Sequence, residues 1–99
     1  MKVISSDSAI ITKIAAIQEK LKDSGINFDR SELLRNALKT FEESDMEKYP
    51  VKRERKRVFL FVDNDVYTTL KNIQNGLRRY HALWKIAYVA CCKYESQLP

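Results

Sequence analysis

A chain of 99 residues with two glycines, two prolines, two cysteines and one histidine has little of what small catalytic and metal sites are built from. Two glycines cannot make a glycine-rich phosphate loop. The lone His81, between Tyr80 and Ala82, reads as an exposed or packed side chain, and no Ser/His/Asp or Cys/His set with a third member assembles around it. Cys91 and Cys92 are adjacent, lie in an apolar helical pattern and lack the spaced Cys and His partners of a zinc site, so they read as thiols at the edge of a core. A redox pair is disfavoured because adjacent cysteines close a strained ring. Unpaired thiols fit a reducing compartment. No apolar run approaches the ~20 residues of a membrane span. Met1 to Ile11 carries a Lys, an Asp and three Ser instead of the apolar stretch of a secretory signal. The expectation is a cytoplasmic protein without enzymatic activity, cofactor or metal.

What is present is apolar and basic. A hydrophobic content of 44% with ten aromatic residues argues for a packed core. The length allows one core shared by the whole chain, since half of it would fall where independent folding is marginal. The net charge of +5 is unevenly distributed. Residues 1–45 hold seven basic and eight acidic side chains, residues 46–57 six and two, and residues 58–99 five and three. The excess therefore sits in Lys52–Arg57, KRERKR. Such a run is either a solvated linker or a polyanion contact, because clustered Lys and Arg neutralise phosphates and release counterions.

The chain also repeats itself. Val66, Leu70, Ile73 and Leu77 reproduce the spacing of Ile10, Ile14, Ile17 and Leu21 at an offset of 56 residues. Each set follows a short extended run ending in Asp: VISSD (Val3–Asp7) and FLFVD (Phe59–Asp63). With the register shortened by three, Leu34, Ala37, Leu38 and Phe41 correspond to Ala87, Ala90, Cys91 and Tyr94. Two copies of strand-helix-helix imply a pseudo-twofold module, a symmetry suited to a symmetric partner such as duplex DNA.

Local signals give boundaries. Ser6, Asp7 and Ser8 are N-cap residues before a helix expected over about 8–23, which Ser24 and Gly25 close. Asp29 with Glu32 resembles a capping box and starts a second helix expected to end near Ser44. Asp45 to Lys56, polar and containing Pro50, reads as the linker between repeats 1–45 and 57–97. The alternation of Arg57–Val62 puts Val58, Leu60 and Val62 on one face and Arg57, Phe59 and Phe61 on the other. Asp63, Asn64 and Asp65 cap the next helix, which Gly76 bends or ends, and a last helix contains Leu83, Ile86, Val89, Ala90 and Tyr94. Its start lacks a Ser or Asp cap. Antiparallel pairing of the two strands would gather all four apolar stripes round one centre, giving a mostly α fold with a short two-stranded antiparallel ribbon.

GINFDRSELLRNALKTFEE (Gly25–Glu43) resembles the second helix of the ribbon-helix-helix family, the MetJ/Arc/CopG superfamily of DNA-binding proteins. RVFLFVDNDVYTTLKNI (Arg57–Ile73) is similar to that family's strand, cap and first helix. With weaker equivalents in each half, the resemblance covers about nine-tenths of the chain and is to a tandem, single-chain form like the TraY-type conjugation accessory proteins. It implies a pseudo-dimer that lays its ribbon in the major groove, reads bases with outward side chains and holds phosphates at the amide ends of its second helices. Carried over by register, base contacts fall to Lys2, Val3, Ser5, Arg57, Phe59 and Phe61. Phosphate contacts fall to Arg30 and Ser31, with Lys52, Arg53, Arg55 and Lys56 of the basic run and, by charge alone, Arg78 and Arg79 of the second repeat. Outward positions in the family are typically polar, so Val3, Phe59 and Phe61 depart from it. They either touch thymine methyls or are buried against another element or another copy.

The resulting expectation is a small regulator of prokaryotic, plasmid or phage type, binding double-stranded DNA as a monomeric pseudo-dimer and self-associating on it. The competing class is a protein-interaction module, an antitoxin or adaptor, using Phe59, Phe61, Trp84 and Tyr88. Trp84 with Tyr80 and Tyr88 a turn to either side is also a candidate stacking surface for single strands, although a stripe at that spacing is more often core or a protein contact.

Overall fold

A computed structural model describes all 99 residues. Seven elements follow one another: β1 (Lys2–Asp7), α1 (Ala9–Asp23), α2 (Arg30–Leu38), α3 (Asp45–Lys48), β2 (Arg57–Val62), α4 (Asn64–Gly76) and α5 (Leu83–Ser96). The two strands form one antiparallel sheet in which Lys2 opposes Val62, Ile4 opposes Leu60 and Asp7 opposes Arg57. The fold is thus small and α+β, mostly helical, with a single two-stranded ribbon. No helix is long and apolar enough to cross a membrane.

Alternation decides which way the ribbon faces. Ile4 and Ser6 of β1, with Leu60 and Val62 of β2, are buried, while Val3, Ser5, Arg57, Phe59 and Phe61 are exposed. Four helices cover the buried side. Ile10, Ile14, Ile17 and Leu21 present the predicted stripe of α1; Leu33, Leu34, Ala37 and Leu38 come from α2, Val66 and Leu70 from α4, and Trp84, Ile86, Ala87, Ala90 and Cys91 from α5. These residues join in one core cluster that runs from Ile4 to Cys91, so neither half has a core of its own. The last helix is its centre, packing against α1, α2, α3, α4 and β1.

Several ends follow local chemistry. Gly25 adopts φ +80°, a left-handed conformation that costs a glycine little, and its amide reaches back to the Lys22 carbonyl at 2.9 Å. Asp29 Oδ1 accepts the Glu32 amide at 2.8 Å, as a capping aspartate should. Two expectations need correction. The second helix stops at Leu38, not near Ser44, leaving half-buried Phe41 beyond its end. Within the segment read as a polar linker, Asp45–Lys48 makes another helical turn, and Asp45 is completely buried. Its carboxylate accepts the Glu42 amide at 2.8 Å and pairs with Lys93 at 3.0 Å. The Lys93 ammonium also donates to the Thr40 carbonyl at 2.7 Å. That ion pair draws the chain into the core where helix-forming residues alone would have let α2 continue.

Candidate nucleic-acid interface: the ribbon face and its basic border

The exposed face of the ribbon carries Val3 opposite Phe61, Ser5 opposite Phe59, and Arg57, whose partner Asp7 is itself buried. Val3, Phe59 and Phe61 are 50%, 59% and 53% exposed, so both phenylalanines stand clear of the protein's own core. Half-exposed side chains of this kind forgo roughly half of the 1.5–3 kcal/mol that full burial of each contributes. Lys2 belongs to the other register, with Ile4 and Ser6. Its ammonium lies 5.6 Å from the centre of the Tyr67 ring, beside the exposed face and not on it.

The basic run passes one end of this face, and Asp7 holds it there. Asp7 Oδ2 accepts the amides of Glu54 at 2.7 Å and Ala9 at 3.0 Å, and Oδ1 accepts that of Arg55 at 2.7 Å. Ser8 adds two ties, its amide donating to the Lys56 carbonyl at 2.8 Å and its hydroxyl to Glu54 Oε1 at 2.7 Å. Burial by itself would raise the Asp7 pKa, but the three amides and the charge of Arg53 outweigh it and hold the carboxyl below its ordinary value. Arg55 is fixed at φ +65°, a left-handed conformation unusual for a residue other than glycine. Arg53 stacks its guanidinium 5.6 Å from the centre of the Trp84 ring, at the start of α5. An open cleft of about 290 Å³ results, lined by Ser5, Ser6, Asp7, Arg53, Arg55, Lys56, Arg57 and Trp84. Lys52 is exposed just before it.

The opposite end of the ribbon is chemically different. Ser31, at the start of α2, is buried and its hydroxyl accepts the Asp63 amide at 3.0 Å, which ties α2 to the end of β2. Its side chain is thus turned inward, while the neighbouring Arg30 is exposed. Arg35 is held by Asp65 through two contacts of 2.6 and 2.9 Å and by Asp63 through a third. These hydrogen bonds raise the guanidinium pKa above its ordinary value and lower that of Asp65. Arg78 and Arg79 lie elsewhere again, in a separate depression of about 620 Å³ that they share with Glu43, Ser44, Met46, Glu47 and His81. Glu43 accepts the Arg78 amide there at 2.7 Å.

The chain matches no known protein family, no curated protein and no solved structure.

Two of the aromatic residues read as partner contacts are core. Trp84 and Tyr88 are 6% and 7% exposed, their rings edge to face at 6.5 Å, with Lys13 lying over Tyr88. They face inward because α5 is surrounded by other elements and has almost no free side. Tyr80 stays exposed but apart from them, so no three-ring stacking surface exists. Cys91 is fully buried, and burial pushes its thiol pKa up; Cys92 is half-buried. The Gln74 side-chain amide donates to the His81 carbonyl at 2.8 Å, and no group of three or more His, Cys, Asp and Glu is placed to hold a metal ion. The role of Asp7 as anchor of the basic segment escaped the sequence reading, since nothing local links it to residues 47 and 48 positions away.

Proposed function

We propose that the protein binds double-stranded DNA in a sequence-specific manner as a single-chain ribbon-helix-helix pseudo-dimer, serving as a small transcriptional regulator or an accessory factor of a larger DNA complex. The observation that carries this reading is the solvent-exposed ribbon face bordered by a basic segment. Two strands about 4.8 Å apart fit a major groove about 12 Å wide. Arg57 and Ser5 supply hydrogen-bonding groups, while Val3, Phe59 and Phe61 match thymine methyls. The basic border supplies the sequence-independent attraction to phosphate. The tandem arrangement is supported by the crossed packing of α1 on α5 and α2 on α4. Asp7 and Asp63, equivalent at the repeat offset, each close a strand beside the start of a second-type helix.

Selection from a randomised duplex library at near-physiological salt, with the bound pool sequenced, tests the proposal. Enrichment of a short motif is expected, and Arg57→Ala should relax preference at one position while weakening binding. Unenriched DNA that is lost as salt rises would reduce the activity to nonspecific phosphate binding. Phe59 and Phe61 also favour a second reading, a module that docks on a protein. A stoichiometric partner recovered from the host without DNA, combined with no recovery of duplex from the library, would select it.

A further inference from the structure

Building on that reading, we propose that the ribbon engages duplex DNA in one fixed polarity, because a preorganised phosphate clamp exists at only one of its ends, with Asp7 as the residue that positions it. At the clamp end, Arg53, Arg55, Lys56 and Arg57 face only two acids, Asp7 and Glu54. Both of those are consumed in holding the segment: Asp7 by the amides of Ala9, Glu54 and Arg55, and Glu54 by the Ser8 hydroxyl. The backbone from Glu54 to Lys56 is therefore fixed against the start of α1, and Arg53 is steadied on Trp84. A basic segment ordered before it meets DNA loses less conformational freedom on binding than a free tail would.

The far end offers no equivalent. Lys2, Arg30 and Arg35 share that end with four acids, Asp29, Glu32, Asp63 and Asp65, and Arg35 is committed to the last two. The Ser31 side chain is buried beneath the Asp63 amide that it accepts, and the Lys2 ammonium lies over Tyr67. Positive potential thus grows along the ribbon from the Lys2–Val62 pair towards the Asp7–Arg57 pair. The duplex strand crossing the Asp7 end is gripped through more phosphates than its counterpart, so exchanging the two half-sites yields a weaker complex.

Phosphate-ethylation interference on both strands of a short duplex from the enriched pool tests the inference. The expected pattern extends further on one flank of the site than on the other. Arg53→Ala and Arg55→Gly should each shorten that extension, leave the other flank unchanged and flatten the salt dependence by about one phosphate. The glycine variant keeps a residue suited to the left-handed backbone, so the segment retains its path. Asp7→Asn separates positioning from charge. It makes the protein more positive, and a merely Coulombic border would then bind tighter. A clamp held by the carboxylate predicts several-fold weaker binding and loss of the one-sided contacts, with thermal melting confirming that the variant is folded. A symmetric footprint of the wild type, or an Asp7→Asn protein that binds tighter with an unchanged pattern, overturns the polarity while leaving DNA binding intact. Failure of any duplex to bind overturns both.

Discussion

Asp45 is fully buried, and the Lys93 ammonium that neutralises it comes from α5, 48 residues away. Its Oδ2 carries both the Glu42 amide and that ammonium, while Oδ1 has no hydrogen-bond partner. Removing one member of such a pair strands the other in a poorly solvated place, which is worse than never having had either. Asp45→Ala is therefore expected to lower the melting temperature by about 5 °C or more in a domain of this size, and Lys93→Met to be the better tolerated when Asp45→Asn accompanies it. Thermal melts of the single and double variants check both statements. Leu60, opposite Ile4 at the middle of the ribbon and fully buried, makes a contrasting case without charge. Leu60→Ala should cost about 2–5 kcal/mol in denaturant unfolding and blunt ribbon-dependent binding in proportion to the unfolded fraction.

At the scale of elements, the two glycines separate backbone need from mere position. Both stand at a helix end with open space where a Cβ would go, yet only Gly25 has a positive φ. Gly25→Ala should destabilise by about 1 kcal/mol through strain alone. Gly76→Ala, in the last turn of α4, should be neutral or stabilising by up to about 1 kcal/mol. Chemical denaturation of the pair decides whether the turn after α1 is held by conformation or by packing. The same distinction explains what was legible in the sequence. Strand limits, the Asp29 cap, the Gly25 stop and the outward register of Phe59 and Phe61 depend on neighbours a few residues away, so composition and period reveal them. The early end of α2, the α3 turn and the anchoring of the basic run depend on Lys93 and Asp7, whose partners are far along the chain. For Trp84 and Tyr88 the spacing leaves core and partner contact both open, for another reason. A helix packed on most of its sides has no distinctive apolar stripe, and α5 is of that kind.

For the molecule as a whole, charge sets a window of pH. Asp65 is held below its ordinary 3.8 by Arg35. Glu95 is held below 4.5, burial notwithstanding, by its hydrogen bonds from Lys20 and Lys13. Their stabilising contribution is complete above those ordinary values and disappears as pH falls through the lower values of the folded state. Cys91 works in the opposite sense. Its buried thiol resists ionisation, whereas in the unfolded chain it ionises near 9.0, so stability falls as pH rises beyond that point. The melting temperature should accordingly be flat between about pH 5 and 9 and decline on both sides. Burial raises the Cys92 thiol in the same sense, so Cys91→Ala should soften the alkaline decline and the double change Cys91→Ala/Cys92→Ala should move it towards the range in which Lys13 and Lys93, both raised above 10.5 by carboxylate partners, lose their protons. Melting curves recorded across this range provide the check.

The ribbon joins Lys2 to Val62, and its strands stand on either side of the 49 residues from 8 to 56. On the ribosome, β1 emerges with no strand to pair with, and the isoleucines of α1 emerge long before α5, the helix that covers them. A translation product that stalls in the KRERKR segment consequently carries half a ribbon and a bare apolar stripe. Apolar surface left open in this way invites aggregation, so codon-level slowing in that segment is expected to reduce the yield of folded protein without altering a single residue.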